Sequence, residues 1–592
     1  MSLRGDARKL AALLAVQTVL VAGIWAQRAG TPRSSGGGVR IAEPMVGIEN
    51  AAPPLPPIYE RRYEGNVKFT SRAELVLVPV VVKDKSGRFV SGLGVDDFTV
   101  TENGQPQKIS TFEEVKPSVG PVQRPRLAPG EYTNVVVGTS APRRLTIIAL
   151  DLVNTPFLDQ ARAREQLIKY LAGQVDANNL TALVTIGSKG IQVVHDFTAD
   201  PKILVAALKT VEGKLHLTEA TSLSSARTDE IIAQAAADAG VTNQLMEFAA
   251  GGDFGAYRQG AAVATTLEAF QHIAQAFAGV PGRKSLLWAT GSFPFNIDDG
   301  GGLAGGSQVY ALYERTMQSL TSANIAVYPV DVRGLMTVGL PDSSAAATSR
   351  SAQIPAGGIA AATRAQADTI ATLEIFAAMT GGKAFYNRND LSTSFKEASE
   401  DSSGYYMLGY YLNKQNTKAG WRKLKVKVAR EDVRVRARTG FFFDQSTVDP
   451  SLNRELDLFV AISSPLDYTA LPITVRWTQA DGKGSKKKVG FEIVLPANAA
   501  TIEGGDNQLS LEFLAVAKTG KGESAANFGQ TFRKRLTPEQ AEQIRGSGIT
   551  YHNVIEVSPG DYGVRFVVRD NLSGRMGSVL APLRLDEVGQ LR

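Results

Sequence analysis

Residues 144–152 read RLTIIALDL, with polar side chains only at Arg144, Thr146 and Asp151. A run this apolar has to be covered on both faces, which is how a strand inside a helix-flanked sheet behaves. Comparable runs follow: NLTALVTIG at 179–187, IQVVHDF at 191–197, RKSLLWATG at 283–291 and NIAVYPVDV at 324–332. Helical spacing lies between them. DPKILVAALKTV opens on Asp200 and Pro201, and across 259–278 Val263, Leu267, Phe270, Ala274 and Phe277 make one apolar stripe. A helix is also expected at 310–322, and another ends on Gly381-Gly382 before KAFYNR. Strands alternating with helices predict an α/β domain on a doubly wound, mostly parallel sheet, with ligands at the strands' carboxyl ends, where Asp151, Thr290 and Asp331 fall.

On both sides of this region the period drops to two. ELVLVPVVVKDKSGRFV at 74–90 and DFTVTENGQPQKISTF at 97–112 read as β hairpins, the second turning at Asn103-Gly104. After residue 401, YYMLGYYL is one strand, and LKVKVAREDVRVRAR at 424–438 reads as a hairpin with a basic stripe of Lys and Arg on one face. That stripe fits a solvated face with edge protection or an anion-binding surface. Short strands divided by turn signals continue to the C-terminus and read as a sandwich, with LTPEQAEQIRG as a short helix within it.

A chain of 592 residues exceeds one core. The expected organisation runs as follows: 1–26, signal peptide or uncleaved anchor; 27–63, Gly/Pro/Ser-rich linker; 64–116, β segment; 117–143, linker; 144–400, α/β domain; 401–446, β segment able to complete a sandwich with 64–116; 447–592, β-sandwich-like domain. Arg4, Arg8 and Lys9 precede LAALLAVQTVLVAGIWA, the basic-then-apolar pattern of export, so the body is expected to be periplasmic, secreted or outer-surface associated. Membrane contact is expected only through that N-terminal run. Residues 343–367 read as a low-complexity insertion.

With no cysteine, disulfides, thiolate metal sites and thiol catalysis are excluded. The histidines, His195, His216, His272 and His552, show no metal-ligand spacing. A formal charge of +6 is too small over this length to mark a nucleic-acid binder. VPGRKS at 280–285 lacks the glycine spacing and following helix of a phosphate-binding loop.

Four stretches in order, VPVVVKDKSGRFVSGLGVDDFTVTENGQPQKISTFEE, IALDLVNTPFLDQ, VPGRKSLLWATGSFPF and YYMLGYYLNKQNTKAGWRKLKVKVAREDVRVRARTGFFF, resemble bacterial VWFA-related proteins, relatives of the von Willebrand factor type A domain. The resemblance covers 68–443. It implies an A-type domain inserted between β segments and a metal-ion-dependent adhesion site that holds Mg²⁺ or Mn²⁺ for a partner's carboxylate. The matching positions are Asp151 and Thr155 as metal ligands, with a second-loop Thr at 265 or 266, while Val153 and Thr290 stand where the motif has Ser and Asp. Asn154, Thr290, Ser292 and Asp331 would then form the partner-binding face. The other reading of DLVNTP is a turn that caps the next helix, since Asn154 and Thr155 precede Pro156. Two functions follow. One is a non-enzymatic exported protein that binds protein or cell-surface ligands through a degenerate adhesion site. The alternative is a structural part of an envelope assembly whose β modules make the contacts without metal.

Overall fold

The computed structural model describes residues 39–41, 73–116, 127–135, 144–174, 179–211, 254–291, 293, 308–334, 356–401, 404–413, 418, 420–443, 450–481, 485–502 and 507–586. The expected export signal at 1–26 lies outside them, as does all of the 27–63 linker except 39–41.

The α/β class does not hold for the chain. Among the described residues strand outweighs helix, 44% against 29%, and they form five sheets that are mostly antiparallel. Parallel ladders are confined to one sheet, because the continuous apolar runs supply only its strands, while alternating segments build the other four.

The first described strand, β1 (Val39–Ile41), belongs to the C-terminal module. The next four build an N-terminal sandwich: β2 (Ala73–Lys83), β3 (Phe98–Glu102), β4 (Gln105–Gln107) and β5 (Thr111–Val115). Its other half comes from more than 280 residues downstream, roughly the span of a large domain: β12 (Tyr405–Asn413), β13 (Gly420–Val428), β14 (Arg434–Arg436) and β15 (Gly440–Phe443). The sheets run β14-β2-β12-β5 and β15-β13-β3-β4. Alternate residues fill the core: Val76, Val78, Val80 and Val82 from β2 meet Phe98, Val100 and Leu424. Tyr406 lies at its centre, with Phe98 at 5.0 Å and Phe89 at 5.4 Å, and its hydroxyl donates to Val90 O and accepts from Leu93 N. The 424–438 stretch is not a hairpin. β13 pairs with β3 and β15, and β14 pairs with β2 in the opposite sheet. Period two fixes which residues face the core but not which strand they pair with.

The parallel-containing sheet has the order β11-β10-β7-β8-β9, from β7 (Arg144–Asp151), β8 (Asn179–Gly187), β9 (Gly190–Thr198), β10 (Lys284–Thr290) and β11 (Ile325–Asp331). β9 is antiparallel to β8. Among the described residues, six helices accompany this sheet: α1 (Phe157–Gln174), α2 (Pro201–Lys209), α3 (Phe254–Phe277), α4 (Gln308–Ser322), α5 (Ala356–Thr380) and α6 (Leu391–Glu400). Asp200 caps α2 by accepting from Lys202 N, with Pro201 at its first position. Residues 356–367 of the expected 343–367 insertion are helical, as the start of α5, and 343–355 lie outside the described residues.

The C-terminal module packs β1-β20-β17-β16-β6 against β19-β18-β21-β22. Its strands are β6 (Glu131–Thr133), β16 (Thr474–Asp481), β17 (Lys487–Leu495), β18 (Gln508–Thr519), β19 (Ser524–Arg535), β20 (Ile549–Val557), β21 (Gly560–Asp570) and β22 (Met576–Leu585). Two segments read as linkers thus supply edge strands: β1 pairs with β20, and β6 with β16. Among the described residues two helices complete it, α7 (Pro450–Ser463) and α8 (Pro538–Ser547), the latter opened by a Thr537/Gln540 capping box. α7 was not expected, although Leu452, Leu456 and Phe459 carry helical spacing. Its Leu458 and Ala461 pack with the central module, and its Arg454 forms an ion pair with Glu512 of β18.

The central and C-terminal modules meet at the end of α3. Thr469 Oγ1 donates to Ala276 O at 2.7 Å and accepts from Gly279 N at 3.1 Å, while His272 Nδ1 lies 3.1 Å from the Tyr468 hydroxyl. A Cβ on Gly279 would run into the Thr469 carbonyl. Gly279→Ala is therefore expected to destabilise this junction by roughly 2–3 kcal/mol. The check is calorimetry, where the substitution should separate the unfolding of the two modules.

Candidate functional site

β7 ends at Asp151, and the neighbouring strand β10 ends at Thr290, so adjacent strands bring these side chains to one edge of the sheet. Asp151 is 1% exposed. Its Oδ1 accepts from the backbone N–H groups of Val153 at 3.2 Å and Asn154 at 3.0 Å. Its Oδ2 accepts from Asn154 Nδ2 at 2.9 Å, Trp288 Nε1 at 3.0 Å, Thr266 Oγ1 at 3.2 Å and Thr290 Oγ1 at 3.3 Å. Thr266 in turn accepts from Asn154 Nδ2 at 2.9 Å. Burial pushes the Asp151 carboxyl above its ordinary range, against the hydrogen bonds from Asn154, Trp288 and Thr266 that favour the charged form.

The Trp288 indole is held edge-on by aromatic neighbours, Phe270 at 5.0 Å and Phe293 at 4.9 Å, with Phe376 at 5.5 Å. Its N–H is thereby aimed at Asp151 from the apolar side.

The other expected site residues are distributed around this centre. Thr155 is buried, and its hydroxyl accepts from Gly291 N at 2.9 Å. Gln160 of α1 ties the loop down by donating to Thr155 O and Leu152 O. Asp331 follows on the next strand, but its carboxylate receives Arg333 Nη2 at 2.7 Å and Nε at 3.0 Å instead of joining Asp151. Ser292 lies outside the described residues. Asn154, Thr290 and Asp331, expected on a partner-binding face, are 2%, 0% and 2% exposed, so they are interior groups and not a contact surface. Of the two threonines expected on a second loop, it is Thr266 that meets Asp151, and it lies within α3. Thr265 donates to Ala261 O within α3. The helical phase carried this information, since Thr266 lies on the stripe of Val263, Leu267 and Phe270. The part played by Trp288 had no sequence signal beyond its place on a buried strand.

A divalent cation does not fit this arrangement. A carboxylate has about four lone-pair sites, and here it faces six protein donors, three of which, Val153 N, Asn154 N and Trp288 Nε1, are N–H groups that cannot reverse direction. Val153 contributes no ligand oxygen. Among the described residues, no group of three or more His, Asp or Glu side chains converges as a metal site.

The lower end of β10 carries the VPGRKS motif in a structural setting. Lys284 is buried, with Nζ donating to Val280 O at 2.6 Å and Gly282 O at 3.1 Å, and burial lowers its pKa to about 7. Stability is then withheld as pH falls from the unfolded value of 10.5 towards 7, because only the unfolded chain takes up the proton freely. Raising pH from 7 to 9 should add about 2 kcal/mol from this group. Lys284→Met should abolish that rise in urea-unfolding free energies.

No protein-family model matches the chain, and none of the curated proteins matches it. Solved structures similar to part of it include VWA domains. The SpRpn10 VWA domain is 13% identical with a TM-score of 0.15, over 32% of this chain and 74% of that one. The TFIIH p34 N-terminal domain is 12% identical with a TM-score of 0.14, over 31% and 79%. A putative beta-galactosidase from Bacteroides fragilis is 17% identical with a TM-score of 0.14, over 19% of this chain and 16% of that one, so the chain spans under a fifth of its length. Likenesses at these scores carry no argument about function.

Proposed function

We propose that this is an exported, non-enzymatic binding protein whose β modules make its contacts, with the Asp151 loop serving as a metal-free keystone of the central module. The observation that carries this reading is the Asp151 carboxylate, buried and met by six protein hydrogen bonds. A carboxylate so occupied has no lone pair for a cation, and a buried one offers nothing to a partner. Export is supported by the basic and apolar N-terminal sequence, and kinship with bacterial VWFA-related proteins by the four motifs.

Calorimetric titration of Mg²⁺ and Mn²⁺ into the full chain, with Asp151→Ala as control, tests the reading. No saturable heat at millimolar metal is the expected result. Saturable binding that Asp151→Ala removes while circular dichroism stays native would restore metal-dependent adhesion and overturn the proposal.

A further inference from the structure

The basic stripe of 424–438 is split by the fold, and one part of it becomes a defined surface. In β13 the residues pointing away from the sandwich core are Trp421, Lys423, Lys425 and Lys427, all exposed. The register sets Lys425 opposite Thr101 and Lys427 opposite Thr99 of β3, so two ammonium and hydroxyl pairs lie side by side on the sheet. Alternate residues of a strand are about 6.8 Å apart, giving a straight row of three cations about 14 Å long. The outward positions of the four strands include no Asp or Glu, and among the described residues no carboxylate pairs with these lysines.

At one end of the row Trp421 lies across Gly440, where a Cβ would strike the indole ring, and Phe442 meets it at 5.0 Å, ring edge to ring face. Glycine at 440 therefore lets the indole lie down on the sheet, and 38% of the residue stays exposed. A flat aromatic platform continuous with a line of lysines and hydroxyls has two recognition chemistries. The indole face takes the C–H face of a sugar ring, and the ammonium groups take carboxylates as point charges.

We propose that this face of the N-terminal sandwich binds an acidic polysaccharide, one ring stacked on Trp421 and successive carboxylates met by Lys423, Lys425 and Lys427. Single-stranded nucleic acid is disfavoured, since its binders use several aromatic platforms for successive bases and this face has one. The proposal rests on the reading that the β modules make the contacts, and it names their ligand.

The test is titration of the full chain with polygalacturonate at low and near-physiological salt, in parallel with neutral dextran and oligothymidylate, all in EDTA. Saturable, salt-sensitive binding of polygalacturonate alone is expected. It should weaken at least about tenfold in Trp421→Ala and in the triple variant K423Q/K425Q/K427Q. The triple variant changes only exposed side chains, so its fold is secure if Trp421→Ala proves unstable. No polygalacturonate binding, binding unchanged in the triple variant, or equally tight binding of dextran or oligothymidylate would each overturn the proposal. The metal titration is independent of this outcome, so failure here with flat metal heats removes the ligand and leaves the metal-free reading in place.

Discussion

Asp151→Asn, which keeps the size of the side chain and removes its charge, is expected to destabilise the central module by about 4 kcal/mol even in EDTA. Whichever way the new amide is turned, its NH₂ meets donors. It faces either the backbone N–H groups of Val153 and Asn154, or the Trp288 indole N–H and the Asn154 amide. Two buried donors lose their acceptor, at about 2 kcal/mol each. The pH sign is distinctive. The folded carboxyl is raised by burial, so the native state holds its proton longer, and the cost of the charge grows as pH rises above the unfolded value of 3.8. Urea unfolding in EDTA, followed by near-ultraviolet dichroism of the buried indole, measures both effects. A near-neutral substitution would mean that the donors are not held as described. A variant more stable than the parent would mean that the cost of burying the charge outweighs the hydrogen bonds it receives.

Asp401→Ala should cost about 3–5 kcal/mol, the usual consequence of taking one partner from a buried ionic cluster. Asp401 ends α6 and is 2% exposed, where the N-terminal sandwich meets the central sheet. Its carboxylate receives Lys83 Nζ of β2 at 2.7 Å, Arg436 Nη1 of β14, and the Tyr328 hydroxyl of β11 at 2.7 Å. Tyr328 also accepts from Arg283 Nη1 at 3.0 Å, and Arg283 N donates to the Tyr405 hydroxyl of β12. Removing the carboxylate leaves three cations clustered without it. Burial alone would raise the Asp401 pKa, but Arg436, Arg283 and Lys83 outweigh it and hold it at about 2. A depressed carboxyl contributes stability that is complete above the unfolded pKa of 3.8 and lost as pH falls towards 2. The parent should therefore lose about 2 kcal/mol from this group across that window, and the variant should lack the loss. Unfolding free energies at pH 7, 4 and 2.5 provide the check. Equal acid sensitivity in parent and variant would remove Asp401 as its source.

VPGRKS acquires its explanation from the same junction. Arg283 links Tyr328, Tyr405 and Gly381 O, and Lys284 closes the turn before β10, so the motif joins modules. Spacing argues against a phosphate loop but does not reveal the partners of Arg283, which lie 45 to 122 residues away.

Local features were read where local physics decides them. Asp200-Pro201 starts a helix because its cap and its fixed φ act within one turn. Asn103-Gly104 turns a hairpin because both residues take positive φ, 47° and 83°. RLTIIALDL, RKSLLWATG and NIAVYPVDV are buried strands because no arrangement leaves such runs in water. The class is not set by the apolar runs alone, since strand pairing also recruits segments too short to show a period. β1 and β6, three residues each, are strands only because β20 and β16 offer free edges. α7 is hard to read from sequence for the converse reason, its helical spacing being short and set among strands.

At the candidate site the sequence by itself placed Asp151 at a strand end beside Thr290, because parallel strands of similar length end together. Only the tertiary structure decided what that carboxylate does. Its chemistry depends on how many donors converge on two oxygens, and those donors come from β10, α3 and the loop after β7, as far as 139 residues away. Convergence is a property of packing, and no spacing along the chain encodes it.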